Sequence, residues 1–155
     1  MIADLELLEG EQLMSTAEEL VFRQIAPHML SDDGKIATTA FGPNTSDDNK
    51  PSYSRSSLVS AQEARDWHTQ NASSLSLGVW GVTVGEVIAS ERHVVDDSAC
   101  PVPEGKKRAP GHCFVDFRGL SRPARKELRA RLHMHAMERG EIPTESTTED
   151  GQLFA

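Results

Sequence analysis

The chain is short of cysteine, aromatic residues and long apolar runs, and each shortage removes a class of protein. Two cysteines in 155 residues, Cys100 and Cys113, are too few for a disulfide scaffold. They flank a Pro/Gly/Lys loop across which they could meet, but they read as free thiols of a reducing compartment. No stretch approaches the roughly 20 apolar residues that a membrane-crossing helix needs. The N-terminal MIADLELLEG is acidic and lacks the basic start of a signal peptide, so a cytoplasmic location is expected. Aromatics make up 5% of the chain and do not interleave its basic helix, which leaves nothing there to stack bases.

Catalytic and ligand motifs are also missing. Gly78, Gly81 and Gly85 match neither phosphate-binding nor dinucleotide spacing. No Ser or Cys sits in a G-x-S-x-G elbow or another triad context. The pairs Asp32-Asp33, Asp47-Asp48 and Asp96-Asp97 do not follow a calcium-loop spacing. His133 and His135 lie two apart on a helix and face apart, so they cannot chelate one ion. Cys100, His112 and Cys113 are the least poor zinc set. No metal and no cofactor are expected.

What is present reads as one α+β domain. Hydrophobic residues at 37% and charged residues at 26% suit a globular protein, and 155 residues are enough for a core. The organising stretch is His112 to Gly140: Phe114, Val115 and Phe117 suit a packed strand, then Arg118 and Gly119 break it. A helix over about 121–139 follows, with Ser121 as N-cap, Pro123 in its first turn and Gly140 just beyond its end. Ala124, Leu128, Leu132 and Ala136 form its apolar stripe, widened by Ala130, Met134 and Met137. Arg122, Arg125, Lys126, Arg129 and His133 form a basic outer face. A second helix over about 60–70 opens on the capping box Ser60-Ala61-Gln62-Glu63 and turns Ala61, Ala64, Trp67 and His68 inward.

Strands are expected at Leu20–Ile25, Lys35–Phe41, Leu75–Val84 and His93–Val95, besides the one before Arg118. They form a mostly antiparallel or mixed sheet, one face of which the two main helices cover. The sixteen residues GPNTSDDNKPSYSRSS, nearly free of aliphatic side chains, read as a long functional or disordered loop. Residues 1–13 read as a flexible or partner-binding arm, 14–140 as the domain, and 141–155 as an acidic mobile tail.

Charge is unevenly spread. Residues 92–139 hold eleven of the sixteen basic residues and six acids, a local balance of +5 that leaves −13 for the rest of a −8 chain. Such a layout favours oriented docking on a charged partner, or a match between the two halves of the chain itself. The expected function is therefore a small protein-interaction module of the accessory, adaptor or immunity type. Arg122, Arg125, Lys126 and Arg129 would meet another protein's acidic surface, and Leu5, Leu7 and Leu8 would insert into a groove. A nucleic-acid-associated factor using the basic helix is a weaker alternative, since net charge opposes it.

The enzymatic alternative rests on Arg23 in an early strand, the Ser52–Ser57 segment and a later acid. That order resembles the broad layout of ADP-ribosyltransferase-like folds, although no contiguous motif carries it. The resemblance implies a nucleotide-like or phosphorylated substrate in a pocket lined by Arg23, Ser54 and Glu63, with Glu86 as the other possible carboxylate.

Overall fold

A computed structural model describes residues 7–43, 49–72, 74–102, 105 and 107–145. Its centre is a six-stranded, wholly antiparallel sheet in the order β1-β5-β6-β3-β2-β4, accompanied by three helices. The strands are β1 (Gln12–Leu13), β2 (Leu20–Gln24), β3 (Ser52–Arg55), β4 (Val79–Thr83), β5 (Val94–Asp96) and β6 (His112–Val115). The helices are α1 (Ala61–Asn71), α2 (Val84–Ala89) and α3 (Arg122–Arg139). Among the described residues no helix is long and apolar enough to cross a membrane.

Alternation along the strands decides which side each residue serves. In β2 and β4, Val21, Trp80 and Val82 point into the larger core with Leu128, Leu132 and Ala136 of α3. Phe22 and Val79 point the other way, onto Ala61 and Ala64 of α1. The two main helices therefore cover opposite faces, not one face as the sequence led us to expect. A sheet whose residues alternate Val21–Phe22 and Val79–Trp80 is apolar on both sides and needs two covers.

Both helices follow their local signals. Ser60 Oγ accepts from Glu63 N and the Glu63 carboxylate accepts from Ser60 N, a complete capping box. Ser121 Oγ caps α3 by accepting from Ala124 N, and Gly140, at φ 84°, ends it in a conformation that suits glycine. Leu128, Leu132 and Ala136 are buried as the stripe predicted, but Ala130 and Met134 are exposed.

Other expectations fail for non-local reasons. Lys35–Phe41 is not a strand: Ile36 makes a single bridge to Leu30, and Thr38–Phe41 winds into a 3₁₀ turn. The supposed loop over 42–59 contains β3, a central strand held on one side by β2 and on the other by β6. Gln12 and Leu13, the last residues of the expected flexible or partner-binding arm, pair with β5 as the edge strand, and residues 1–6 of that arm lie outside the described residues. Residues 141–145 do not hang free: Ile142 bridges Val79, and Glu145 exchanges two backbone hydrogen bonds with the Gln62 side chain. Leu153 and Phe154 lie outside the described residues.

Candidate functional site

On the α1 face of the sheet, between α1 and the loop that follows β5, lies a cleft of about 400 Å³. Phe22, Gln24, Ser52, Ser54 and His112 form its floor. Ala64, Trp67 and His68 of α1 make one wall, and Asp97, Val102, Lys107, Arg108 and Ala109 make the other. His28 and Ser74 stand at its rim.

Three floor and wall residues form a hydrogen-bonded chain. His112 Nδ1 lies 2.6 Å from Asp97 Oδ1, and His112 Nε2 lies 3.0 Å from Ser52 Oγ. Strand register builds this group. Asp96 opposes Cys113, so the next residue, Asp97, comes alongside His112 and on its face. Ser54 opposes His112 and Ser52 opposes Phe114, which sets Ser52 diagonal to His112 on the same face. An ionised carboxylate only accepts, so the tautomer that fits this chain carries its hydrogen on Nδ1, and Nε2 then accepts from the Ser52 hydroxyl. The His112 and Asp97 side chains are 18% and 14% exposed, whereas Ser52 is open to the cleft. This is the arrangement in which a histidine acts as base for a serine hydroxyl and a carboxylate orients the ring.

The surroundings tune the cleft. Burial holds His68 below the ordinary histidine value, so it lines the wall as a neutral imidazole. Gln24 Oε1 accepts from Ser76 Oγ at 2.7 Å, while its Nε2 is buried without a partner among the described residues. Arg23 also borders the cleft, but its guanidinium works on the backbone. It donates to the carbonyls of Ala40 (2.8 Å), Ser52 (2.9 Å) and Gly42 (3.1 Å), and lies 5.4 Å from the Tyr53 ring. It thus ties the 3₁₀ turn to the strand that carries Ser52.

The residues singled out from sequence fare differently. Arg23 and Ser54 meet at the cleft, but Glu63 does not join them: it is exposed and engaged in the α1 cap. Glu86 is also elsewhere, capping α2 and paired with Arg139. The zinc set falls apart because His112 and Cys113 are neighbours in one strand and face opposite ways. Cys113 is in the α3-side core, where burial pushes its thiol well above the usual value. Among the described residues no group of three His, Cys, Asp or Glu side chains could hold a metal ion.

The basic face of α3 is not a uniform solvent face. Arg122 and Lys126 are exposed. Arg125 donates to Asn49 Oδ1, and the Arg129 stem lies so close to Gly42 that an added Cβ would meet its Cδ. His133 Nε2 is 2.9 Å from the Ile36 carbonyl oxygen. The charge asymmetry is also partly matched inside the chain, by Arg118 with Glu11 (3.0 Å) and Arg139 with Glu86 (3.0 Å). Leu7 and Leu8 are 39% and 57% exposed, and Leu5 lies outside the described residues.

Sequence reasoning weighed Asp97 and His112 only as metal ligands and did not join them to a serine, and it chose Ser54 where Ser52 makes the contact. The available signal was the doublet Asp96-Asp97 at the end of an apolar strand, which must send one carboxylate to each face. Comparison with protein-family models, curated proteins and solved structures finds no match to this chain.

Proposed function

We propose that the protein is an enzyme of the serine-nucleophile class, a hydrolase or acyltransferase acting in the cytoplasm on a small ester or amide bound in the α1-face cleft. The observation that supports this most is the Ser52–His112–Asp97 chain, with 3.0 Å and 2.6 Å links, opening into a cleft of about 400 Å³. Two free cysteines, Cys100 and Cys113, suit a reducing compartment.

In the proposed reaction Ser52 Oγ attacks the substrate carbonyl carbon as its proton passes to His112 Nε2. Asp97 stabilises the resulting imidazolium through Nδ1–H. The bond to the leaving group breaks, and that group takes the proton from His112. Water, or a second alcohol or amine, then enters by the same route and frees Ser52. Arg23 is a positioning residue, since its bond to the Ser52 carbonyl fixes the strand from which Oγ projects. The test is hydrolysis of a panel of activated aryl esters by wild-type, Ser52→Ala and Ser54→Ala proteins. Turnover lost in Ser52→Ala and kept in Ser54→Ala supports the reading; equal turnover in wild type and Ser52→Ala sinks it.

A second reading, docking on a protein with an acidic surface, is favoured by one observation. Arg122 and Lys126 stand exposed at the start of α3, and the segment bearing the exposed Leu7, Leu8 and Leu13 is pinned nearby through Glu11–Arg118. In this reading Arg122 and Lys126 steer the encounter and the leucines supply apolar area. Affinity capture from the host with wild-type and Arg122→Glu/Lys126→Glu baits tests it. A protein held only by the wild-type bait supports docking; identical captures refute it.

A further inference from the structure

The charge of the cleft runs against that of the chain. Arg23, Lys107 and Arg108 line it, and among the described lining residues Asp97 is the only carboxylate, in a protein of formal charge −8. Asp97 is itself engaged by His112. Five arginines elsewhere, Arg55, Arg92, Arg118, Arg131 and Arg139, lie within ion-pair distance of acids. Lys107 and Arg108 make no ion pair among the described residues. Lys107 is exposed, and Arg108 donates to the Cys100 carbonyl, a neutral acceptor that leaves its charge uncompensated. A chain with acids in excess has thus left two cations unmatched on one wall of its cleft.

Hydrogen bonding points the same way. Gln24, one of the floor residues, holds its Nε2 buried with no partner among the described residues. Its own oxygen already accepts from Ser76, so the unpaired group of Gln24 is the amide donor. A cleft whose spare capacity is two cations and a donor suits a ligand that carries negative charge and accepts hydrogen bonds.

Resting on the serine-nucleophile reading, we infer that the substrate is an anionic ester or amide whose charged group is held by Lys107 and Arg108. A carboxylate and a phosphate share that chemistry. In both cases Ser52 Oγ forms a new bond to the acyl carbon, the acyl–leaving-group bond breaks, and His112 delivers the Ser52 proton to the departing atom.

Three acetyl esters of matched size separate the possibilities: methyl 4-acetoxybenzoate (neutral), 4-acetoxybenzoate (carboxylate) and 4-acetoxyphenyl phosphate. Their kcat/KM values are measured at low and high salt for wild-type, Lys107→Glu and Ser52→Ala proteins. At least one anionic ester should be favoured over the neutral one by about tenfold at low salt. That preference should fall towards unity in Lys107→Glu and at high salt. The better anion identifies the group. Ser52-dependent turnover with equal rates, or a preference untouched by Lys107→Glu, overturns the anionic substrate and leaves the serine reading intact. Turnover of none of the three, or turnover unchanged in Ser52→Ala, overturns both.

Discussion

Replacing Arg55 with methionine removes the cation from a buried cluster while keeping most of its aliphatic volume. Arg55 Nε and Nη2 donate to the two Glu19 oxygens at 3.1 and 2.9 Å, and Nη1 donates to Asp96 Oδ2 at 2.6 Å. The Glu19 and Asp96 side chains are only 5% and 10% exposed, so the variant leaves two carboxylates buried beside each other. Breaking one partner out of a buried pair costs about 3–5 kcal/mol. Two features lower that figure. Ser57 Oγ still donates to Glu19 at 2.6 Å, and Ser98 N and Oγ still donate to Asp96 at 2.8 and 2.6 Å. The Arg55 side chain is also 24% exposed, which screens it. About 2–4 kcal/mol is the expected loss at neutral pH. In a chain of this size about 3 kcal/mol lowers the melting temperature by about 6–12 °C.

The pH dependence of that loss is a sharper check than its size. Burial alone raises the Glu19 carboxyl, but the hydrogen bonds from Arg55 and Ser57 outweigh it and hold the group below its ordinary value. Burial likewise raises Asp96, and Ser98 and Arg55 together bring it below its ordinary value. Depressed carboxyls stabilise the fold above their unfolded values, and that stabilisation disappears as pH falls through the folded ones. Wild type should therefore lose stability below about pH 4.5, while the variant, stripped of the cation that favours ionisation, loses less. Urea unfolding of both proteins at pH 7 and pH 4 measures the gap. A gap below about 1 kcal/mol at pH 7, or one that widens towards pH 4, would refute the reasoning.

Further consequences can be checked one by one. Ser60→Ala removes the oxygen that accepts from Glu63 N and should cost about 1 kcal/mol in urea unfolding. Gly81→Ala puts a Cβ 2.9 Å from the Val21 carbonyl oxygen and 3.0 Å from Ile142 Cδ1, where β4 pairs with β2. The strands must separate to admit it, and a loss of about 1–3 kcal/mol is expected from denaturant titration. Asp97→Asn leaves the shape of the cleft but lets His112 adopt the wrong tautomer. Any Ser52-dependent ester turnover should drop at least about a hundredfold with little change in melting temperature.

How much of this was legible beforehand depended on how local each signal was. The Ser60-to-Glu63 box and the Leu128, Leu132, Ala136 stripe sit within one helix, so α1 and α3 could be read with their caps. The strand β3 could not. Ser52, Ser54 and Arg55 look like loop residues, and only Tyr53 is buried in the core; the pairing comes from β2 and β6, about 30 and 60 residues away. The 3₁₀ turn at Thr38–Phe41 has a strand-like composition but bends because the Ala40 and Gly42 carbonyls turn towards Arg23.

The site was hidden for the same reason. Ser52, Asp97 and His112 belong to β3, the loop after β5, and β6, and only the sheet register makes them neighbours. Basic residues on α3 were legible as a helical face, yet which of them stay in water depended on Asn49, Gly42 and Ile36 lying against Arg125, Arg129 and His133.

The central claim is that Ser52 is a hydroxyl activated by His112. Its most direct test is the rate at which a fluorophosphonate forms a covalent adduct, followed by intact mass and located by peptide mapping, in wild type and His112→Gln. The account predicts one adduct per chain, on Ser52, with a rate that falls at least about a hundredfold in the variant. An adduct elsewhere, no adduct, or equal rates in the two proteins would contradict it.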